Sequence, residues 1–169
     1  MNTTTRVLLA AALCATMAAC SKKVKEEAPP PPPPPAPTPA PVVDDGKYGP
    51  EDLDTDTCLR QRVVYFDFDQ SDVKAEFTAI MNCHAKYLRD RPSARMSLEG
   101  HADERGTREY NLGLGERRGN AVSDALRANG GGAHQLNVVS YGEERPTCDS
   151  SDDSCWGKNR RVEIVYTAK

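Results

Sequence analysis

Residues 28–41 read APPPPPPPAPTPAP, a run that excludes both helix and sheet from this part of the chain. Proline fixes φ and has no N–H to donate, so the run must adopt polyproline II. At about 3.1 Å per residue it reaches roughly 40 Å and acts as a semi-rigid spacer. A ligand for a proline-binding domain is the alternative interpretation. In a chain of 169 residues, the part after the spacer is long enough for about one ordinary domain.

The N-terminal residues 1–19 have the layout of an export signal. Arg6 is followed by an apolar run over residues 7–19, which is typical of a secretory signal peptide and is shorter than the roughly 20 residues that span a bilayer. The run ends in Met17-Ala18-Ala19-Cys20, which resembles the lipobox of bacterial lipoproteins. This resemblance implies acylation of Cys20 and, with Ser21 next to it, the periplasmic face of the outer membrane. Cleavage after Ala19 that leaves a free Cys20 is the alternative.

Residues 20–57 are therefore predicted to be a lipidated N-terminus and a proline-rich linker, and residues 58–169 a folded domain. Export favours disulfides in this domain, and its four cysteines allow three pairings. We favour Cys148 with Cys155 and Cys58 with Cys83. Zinc is the weaker alternative, because no Cys-x-x-Cys spacing occurs. We expect no metal and no cofactor.

Composition and patterning give the fold class. The formal net charge of −3 implies no broad cationic face, so nucleic acid is not an expected partner. Periodicity predicts an α+β fold, a two-layer α/β sandwich in the order β-α-β-α-β-β with a mixed four-stranded sheet and the helices on one face. His84 is predicted to be a core residue of the first helix. The predicted strands are residues 62–68, 94–100, 136–141 and 161–166, and the first helix spans residues 73–88.

Residues 99–122, EGHADERGTREYNLGLGERRGNAV, are unusual for a helix because they contain five glycines. An interior glycine costs roughly 1 kcal/mol relative to alanine. An unbroken helix from Thr107 would carry Arg118 about 16 Å along its axis, too far to share a ligand with Asp103. We therefore predict a break, with a short turn over residues 107–112 and a main helix that begins near Gly115.

Asp103 and Arg118 would then lie in one small cleft. A carboxylate binds an ammonium and a guanidinium binds a carboxylate, so a cleft with both signs suits a zwitterion. A loop-stabilising salt bridge without a ligand explains the same two residues equally well.

Four blocks in order, GHADERGTREYN, LGERRGNAV, VSYGEERP and NRRVEIVY, closely resemble the OmpA-like peptidoglycan-binding domain. The resemblance covers about residues 62–166. It implies non-covalent binding of the diaminopimelate side chain of the stem peptide. By position, Asp103 and Arg118 match the ligand-gripping residues, and Asp69 a further polar contact. Asn111 and Leu114 would shape the cleft, and Arg160 or Arg161 would close its far side.

The same resemblance implies a tether between the outer membrane and peptidoglycan, with Tol-system periplasmic proteins as partners and a role in cell division. A wall hydrolase is the alternative, but the three histidines are scattered and no set of groups for acid–base or zinc chemistry is evident. We therefore predict a binding protein and not an enzyme.

Three features depart from the family pattern. Gly119 stands where alanine is usual, and we expect it to loosen the helix slightly. Residues 147–156 replace a simpler loop. Cys58 and Cys83 are additions, interpreted as a bridge worth about 2 to 4 kcal/mol.

Overall fold

The structure, a computed structural model, describes residues 46–169. The signal, Cys20 and the proline-rich spacer lie outside the described residues. Within the described range no helix is both long and apolar enough to cross a membrane. The regular elements are α1 Asp52–Thr55, β1 Val63–Tyr65, α2 Thr78–Asp90, β2 Arg95–His101, α3 Arg108–Ala128, β3 Leu136–Gly142, α4 Asp153–Asn159 and β4 Arg161–Ala168.

The four strands form one mixed sheet in the order β1-β4-β2-β3. β2 and β3 are parallel, with Leu98 opposite Val138, whereas β4 runs antiparallel to both β1 and β2. The parallel pair requires a crossover, which α3 supplies. The predicted α+β sandwich with a mixed four-stranded sheet is confirmed.

The hydrophobic core lies between one face of the sheet and helices α2 and α3. Leu98 of β2 and Ile164 of β4 are buried against Leu88 of α2 and Leu126 of α3. These positions follow the period of two in strands and of 3.6 in helices, so the apolar pattern of the sequence selects which face is covered.

His84 is fully buried in this core, as predicted. Its Nδ1 lies 2.7 Å from the hydroxyl of Tyr166, and its Nε2 lies 3.0 Å from the main-chain oxygen of Gln61. Burial lowers the pKa of His84 to about 4, despite the hydrogen bond to the Gln61 oxygen. The histidine is therefore neutral at physiological pH.

The predicted break near Gly113 is wrong, because α3 runs without interruption from Arg108 to Ala128. Thr107 is its N-cap, and the Thr107 hydroxyl accepts a hydrogen bond from the main-chain nitrogen of Tyr110 at 3.2 Å. The glycines serve close packing instead. A Cβ on Gly100 would lie 1.9 Å from the main-chain oxygen of Gly115, so only glycines allow α3 to approach β2 this closely.

Gly119 belongs to the same contact surface. A Cβ at this position would lie 2.6 Å from Cγ1 of Val138 on β3. The expectation that Gly119 merely loosens the helix is therefore incomplete, since this glycine also lets α3 lie close to β3. Gly115 lies beside Gly100 and Gly119 beside Leu98, so α3 runs back along β2 in the opposite direction.

Other segments differ from the sequence-based expectation. β1 is only three residues long, because the chain turns after Phe66 and Asp69 adopts a left-handed φ of 58°. Leu53 of α1, which precedes the predicted domain start at Cys58, is buried in the core. The segment over residues 147–156 contains the start of α4, a helix that the sequence analysis treats as a loop.

Two disulfides join Cys58 to Cys83 and Cys148 to Cys155. These are the two pairs favoured by the sequence. The first bridge connects the segment before β1 to α2, and the second closes a loop with a sequence separation of 7 residues. All four cysteines among residues 46–169 are paired, so none of them is available as a thiolate ligand for zinc.

Candidate functional site

A cavity of about 210 Å³ lies where the loop after β1, the loop after β2 and the first half of α3 meet. It brings together residues far apart in sequence, since its lining extends from Phe68, after β1, to Arg118 in α3. The lining residues are Phe68, Asp69, Asp103, Arg105, Gly106, Tyr110, Leu114 and Arg118.

Asp103 follows β2 and is the most enclosed acid of the cavity, with 4% of its surface exposed. Its Oδ1 accepts hydrogen bonds from the main-chain nitrogen and Nε of Arg105, at 3.1 and 3.2 Å. Its Oδ2 accepts from Nη2 of Arg105 at 2.7 Å and from Nη1 of Arg160 at 3.2 Å. Burial alone would raise the pKa of Asp103, but these donors outweigh it and hold the pKa below its usual range. The carboxylate is therefore ionised at neutral pH.

Arg118 lies in the middle of α3 and has no exposed surface. Its guanidinium donates to three main-chain oxygens, those of Gln70 at 2.8 Å, His101 at 2.8 Å and Asp67 at 3.1 Å. Burial lowers the pKa of Arg118 to about 10, partly offset by the nearby Asp103 carboxylate. Arg118 thus remains charged and holds the loop after β1 against the end of β2.

The continuous helix still brings Arg118 and Asp103 to one cavity. The distance of about 16 Å is measured along the helix axis from its start. Because α3 runs antiparallel to β2, the middle of the helix lies beside the end of that strand. His101, the last residue of β2, is two positions before Asp103. The antiparallel packing of α3 on β2 therefore brings Arg118 close to Asp103 without a break in the helix.

The other predicted residues fall into three groups. Asp69 and Leu114 line the cavity, and Oδ1 of Asp69 accepts a hydrogen bond from the hydroxyl of Tyr110. This bond raises the pKa of Tyr110. Asn111 is buried and donates to the main-chain oxygen of Asp103 at 3.0 Å, so it supports the loop from behind. Arg160 contacts Asp103 directly and also donates to the main-chain oxygen of Phe66 at 3.0 Å.

Arg161, the alternative to Arg160, lies away from the cavity. Its Nε donates to Oε1 of Glu163 at 2.6 Å, and its Nη2 donates to the main-chain oxygen of Arg145 at 3.3 Å. Arg160 follows the last residue of α4 and Arg161 is the first residue of β4, and of the two only Arg160 donates to Asp103.

Sequence reasoning missed three aromatic residues and one arginine at this site. Arg105, Phe68 and Tyr110 line the cavity, and Trp156 of α4 stacks on Arg105 with a distance of 4.1 Å from Cζ to the ring. Arg105 follows Asp103 by two positions, and this spacing is the one local signal that could have identified it as a candidate. No local signal connects Trp156 with residues about fifty positions earlier, since only the tertiary fold brings them together.

The cavity presents both signs of charge at short range. Asp69 and Asp103 contribute carboxylates, and Arg105 and Arg118 contribute guanidinium groups. Charge-assisted hydrogen bonds to ammonium and carboxylate groups are the strong interactions that such a set offers. Among residues 46–169, no group of His, Cys, Asp and Glu side chains is arranged to hold a metal ion. The described lining thus offers groups complementary to both an ammonium and a carboxylate.

Comparison with known proteins agrees with this fold. Residues 65–160 match the model of the OmpA family. A peptidoglycan-associated lipoprotein of Pasteurella multocida is 37% identical over 98% of this chain and all of its own length. One from Haemophilus influenzae is 45% identical over 63% of this chain and 70% of its own.

A solved structure extends the comparison. The crystal structure of the peptidoglycan-associated lipoprotein from Burkholderia pseudomallei superposes with a TM-score of 0.67 at 41% identity, and the match covers 69% of this chain and 98% of that one. The chain belongs to the OmpA family and, within it, to the peptidoglycan-associated lipoproteins.

Proposed function

We propose that this protein binds peptidoglycan non-covalently through the cavity, and that its ligand is the zwitterionic end of the diaminopimelate side chain in the stem peptide. The observation that carries the proposal is Asp103, a buried carboxylate with a lowered pKa that shares one cavity with two guanidinium groups. Asp103 takes the ligand ammonium. Family membership and the names of the relatives support peptidoglycan as the partner.

The remaining predicted residues have supporting roles in this proposal. Arg118 and Asn111 fix the loops around the cavity, Leu114 forms its apolar wall, and Asp69 and Arg160 complete its charged rim. Arg118 uses three of its N–H groups on main-chain oxygens. Because Arg118 has no exposed surface, its part in binding is to hold the walls of the cavity in place and to add positive charge beside Asp103.

We further propose that the protein is a tether of the outer membrane. Residues 1–19 direct export, Cys20 carries the acyl chains, residues 20–57 span the gap and the domain over residues 58–169 binds the wall. More than one acyl chain gives stable anchoring. The protein then lies on the periplasmic face of the outer membrane, and Tol-system proteins join it in envelope maintenance during cell division.

Weak individual contacts are sufficient for such a tether. A single small side chain offers few heavy atoms, so its affinity for the domain is expected to be modest. An anchored domain beside a wall with many copies of its ligand experiences a high effective concentration. The attachment is therefore strong overall while each contact exchanges rapidly, which suits a wall under remodelling.

The test is a pull-down of the purified mature protein with insoluble peptidoglycan. Asp103→Asn removes the charge that holds the ammonium, so we expect at least a tenfold loss of retained protein. Asp124→Asn makes the same change on an exposed carboxylate of α3 that pairs with Arg127, and this variant should bind normally. Wall that contains lysine in place of diaminopimelate should retain much less protein. Normal retention of Asp103→Asn would refute the proposed site.

The anchor has a separate test. Cys20→Ala should release the protein into the soluble periplasmic fraction, whereas Cys14→Ala, a change within the signal, should leave fractionation with the outer membrane unchanged. If the Cys20→Ala protein still sediments with membranes in cells whose peptidoglycan has been digested, the proposed anchor is wrong.

A further inference from the structure

The guanidinium of Arg105 is layered between two aromatic rings. Its Cζ lies 4.0 Å from the ring centroid of Phe68 and 4.1 Å from that of Trp156, within the range of cation–π contacts. One edge of the same group donates to Asp103 through Nε and Nη2, at 3.2 and 2.7 Å. Stacking fixes the plane of the guanidinium and the carboxylate fixes its rotation.

Arg105 differs from Arg118 in the donors that it keeps available. Its side chain is 30% exposed, whereas Arg118 has no exposed surface and binds three main-chain oxygens. The Nη1 atom of Arg105 lies 3.8 Å from Oδ1 of the exposed Asp153, which is longer than a hydrogen bond. A guanidinium has five N–H groups, so three of those on Arg105 have no acceptor among residues 46–169.

We propose that Arg105 binds the side-chain carboxylate of the ligand and that Trp156 is the residue that positions it. The inference rests on the proposed binding of diaminopimelate. Diaminopimelate differs from lysine by one carboxylate beside the terminal ammonium of its side chain. Asp103 and Arg105 are adjacent charges of opposite sign, complementary to this pair. Arg105 is therefore the specificity-determining residue, and Asp103 is required for both ligands.

Trp156 acts from outside the cavity, where the disulfide-closed segment holds it. This segment, residues 147–159, includes the Cys148–Cys155 bridge immediately before Trp156. Nε1 of Trp156 donates to Oε1 of Glu104 at 3.0 Å, and the hydroxyl of Ser151 donates to the same oxygen at 2.7 Å. Both contacts join the segment to the residue between Asp103 and Arg105.

Asn159 closes the other end of the disulfide-closed segment. Its Oδ1 accepts from the main-chain nitrogen of Thr147 at 2.9 Å, and its Nδ2 donates to the main-chain oxygen of Cys148 at 2.7 Å. The indole is thus supported by a covalent bridge and by hydrogen bonds at both ends of the segment, so its ring is held against Arg105 before any ligand arrives. Such preorganisation reduces the entropic cost of binding.

The experiment measures the affinity of the purified mature protein for two soluble muropeptides that differ only in diaminopimelate or lysine at the third position. Arg105→Gln should weaken binding of the diaminopimelate peptide about tenfold or more, as expected for the loss of a charge-assisted hydrogen bond. Binding of the lysine peptide should change by less than about twofold, so the selectivity ratio collapses. Arg105→Lys keeps the charge but loses the fork, and should give an intermediate ratio.

The positioning role has its own variants. Trp156→Ala should lower the selectivity ratio several-fold, and Trp156→Phe should restore most of it because a ring still stacks on Arg105. The paired change Cys58→Ser and Cys83→Ser removes the bridge outside the site and should leave the ratio unchanged. A change in stability alone would not alter a ratio of two affinities measured on the same folded protein.

The outcomes distinguish this inference from the proposed function. If Asp103→Asn binds both muropeptides like the wild type, the proposed function fails. If Asp103→Asn loses both while Arg105→Gln and Arg105→Lys keep the wild-type ratio, only the role of Arg105 is refuted. A normal ratio for Trp156→Ala would refute the positioning role of Trp156.

Discussion

Nη1 of Arg118 donates to the main-chain oxygen of His101 at 2.8 Å, and this contact joins the middle of α3 to the carboxyl end of β2. The same guanidinium also holds the loop after β1 through Asp67 and Gln70. One side chain therefore connects the three segments that enclose the cavity. Its position in a buried part of α3 makes it a structural residue as well as a charge of the site.

The structural role of Arg118 gives the first prediction. Arg118→Ala leaves three main-chain oxygens without their donor, and each buried unsatisfied group costs about 1 to 3 kcal/mol. Since the loops can relax toward water, we expect the free energy of unfolding to fall by about 2 to 4 kcal/mol in urea denaturation. Arg127→Ala, an exposed change on the same helix, should cost less than about 0.5 kcal/mol. Equal stability of the two variants would contradict this role.

The glycines of α3 and β2 give a second prediction. Gly100→Ala places a Cβ 1.9 Å from the main-chain oxygen of Gly115, and neither main chain can move without separating α3 from β2. We expect destabilisation of about 3 kcal/mol or more, because overpacking is resisted by backbone. Gly113→Ala is the matched control, since its nearest neighbour is the flexible Arg117 side chain at 3.4 Å. That variant should gain about 0.5 to 1 kcal/mol from helix propensity, measured by thermal or urea unfolding. A Gly100→Ala protein as stable as the wild type would show that the close approach is not required.

Stability should decrease between pH 7 and pH 5, in part because of His84. In the unfolded chain His84 takes up a proton below about pH 6.5, whereas burial keeps the pKa of the folded residue at about 4. The unfolded state then binds more protons, so the free energy of unfolding falls as the pH falls through this window. We expect a loss of roughly 1 to 2 kcal/mol from this residue by pH 5.

Urea titrations at several pH values test this effect. His84→Gln should be less stable at pH 7, because the buried contacts with Tyr166 and Gln61 change, but its stability should depend less on pH. His134→Gln alters an exposed histidine and should leave the wild-type dependence in place. His101 is also buried, and its pKa is lowered to about 4 by burial and by Arg161, so part of the dependence should persist in His84→Gln. An identical slope in His84→Gln and wild type would refute the assignment.

The two disulfides should contribute unequally to stability. The Cys58–Cys83 bridge joins residues separated by 25 positions and the Cys148–Cys155 bridge residues separated by 7. In the loop-entropy model a longer closed loop constrains the unfolded chain more. We expect Cys58→Ser with Cys83→Ser to cost about 2 to 4 kcal/mol, and the other pair about 1 kcal/mol less. The reverse order in denaturation experiments would contradict that model for this protein.

Much of the fold could be predicted from local sequence pattern. Alternation and helical spacing predicted the strands over residues 94–100 and 161–166 and a first helix with His84 in the core, because these periods are set by backbone geometry. The order of the elements then selected the mixed sheet. α4 was missed because residues 147–156 are polar and lack an apolar period, and its helix depends on the Asp152 cap and the adjacent bridge.

The candidate site was only partly readable from the sequence. The Asp103 and Arg118 pair was suggested by its motif, yet the reason given for their proximity was wrong. The helix is continuous, and the two glycines at positions 100 and 115 allow it to pack back along β2. Interior glycines look the same in a sequence whether they break a helix or permit close packing, so no local rule separates these cases.

The layered α+β architecture could be predicted from the sequence alone, because apolar periodicity is set by backbone geometry, and export favoured disulfides without fixing which cysteines pair. Long-range packing is what directs the donors of Arg118 to main-chain oxygens and places Phe68 and Trp156 against Arg105 beside Asp103. The contacts of Arg118 with the loop after β1 and of Arg105 with Trp156 join residues about fifty positions apart. They exist because the sheet and the helices α2 and α3 together fix the positions of the loops. No short stretch of sequence encodes these positions.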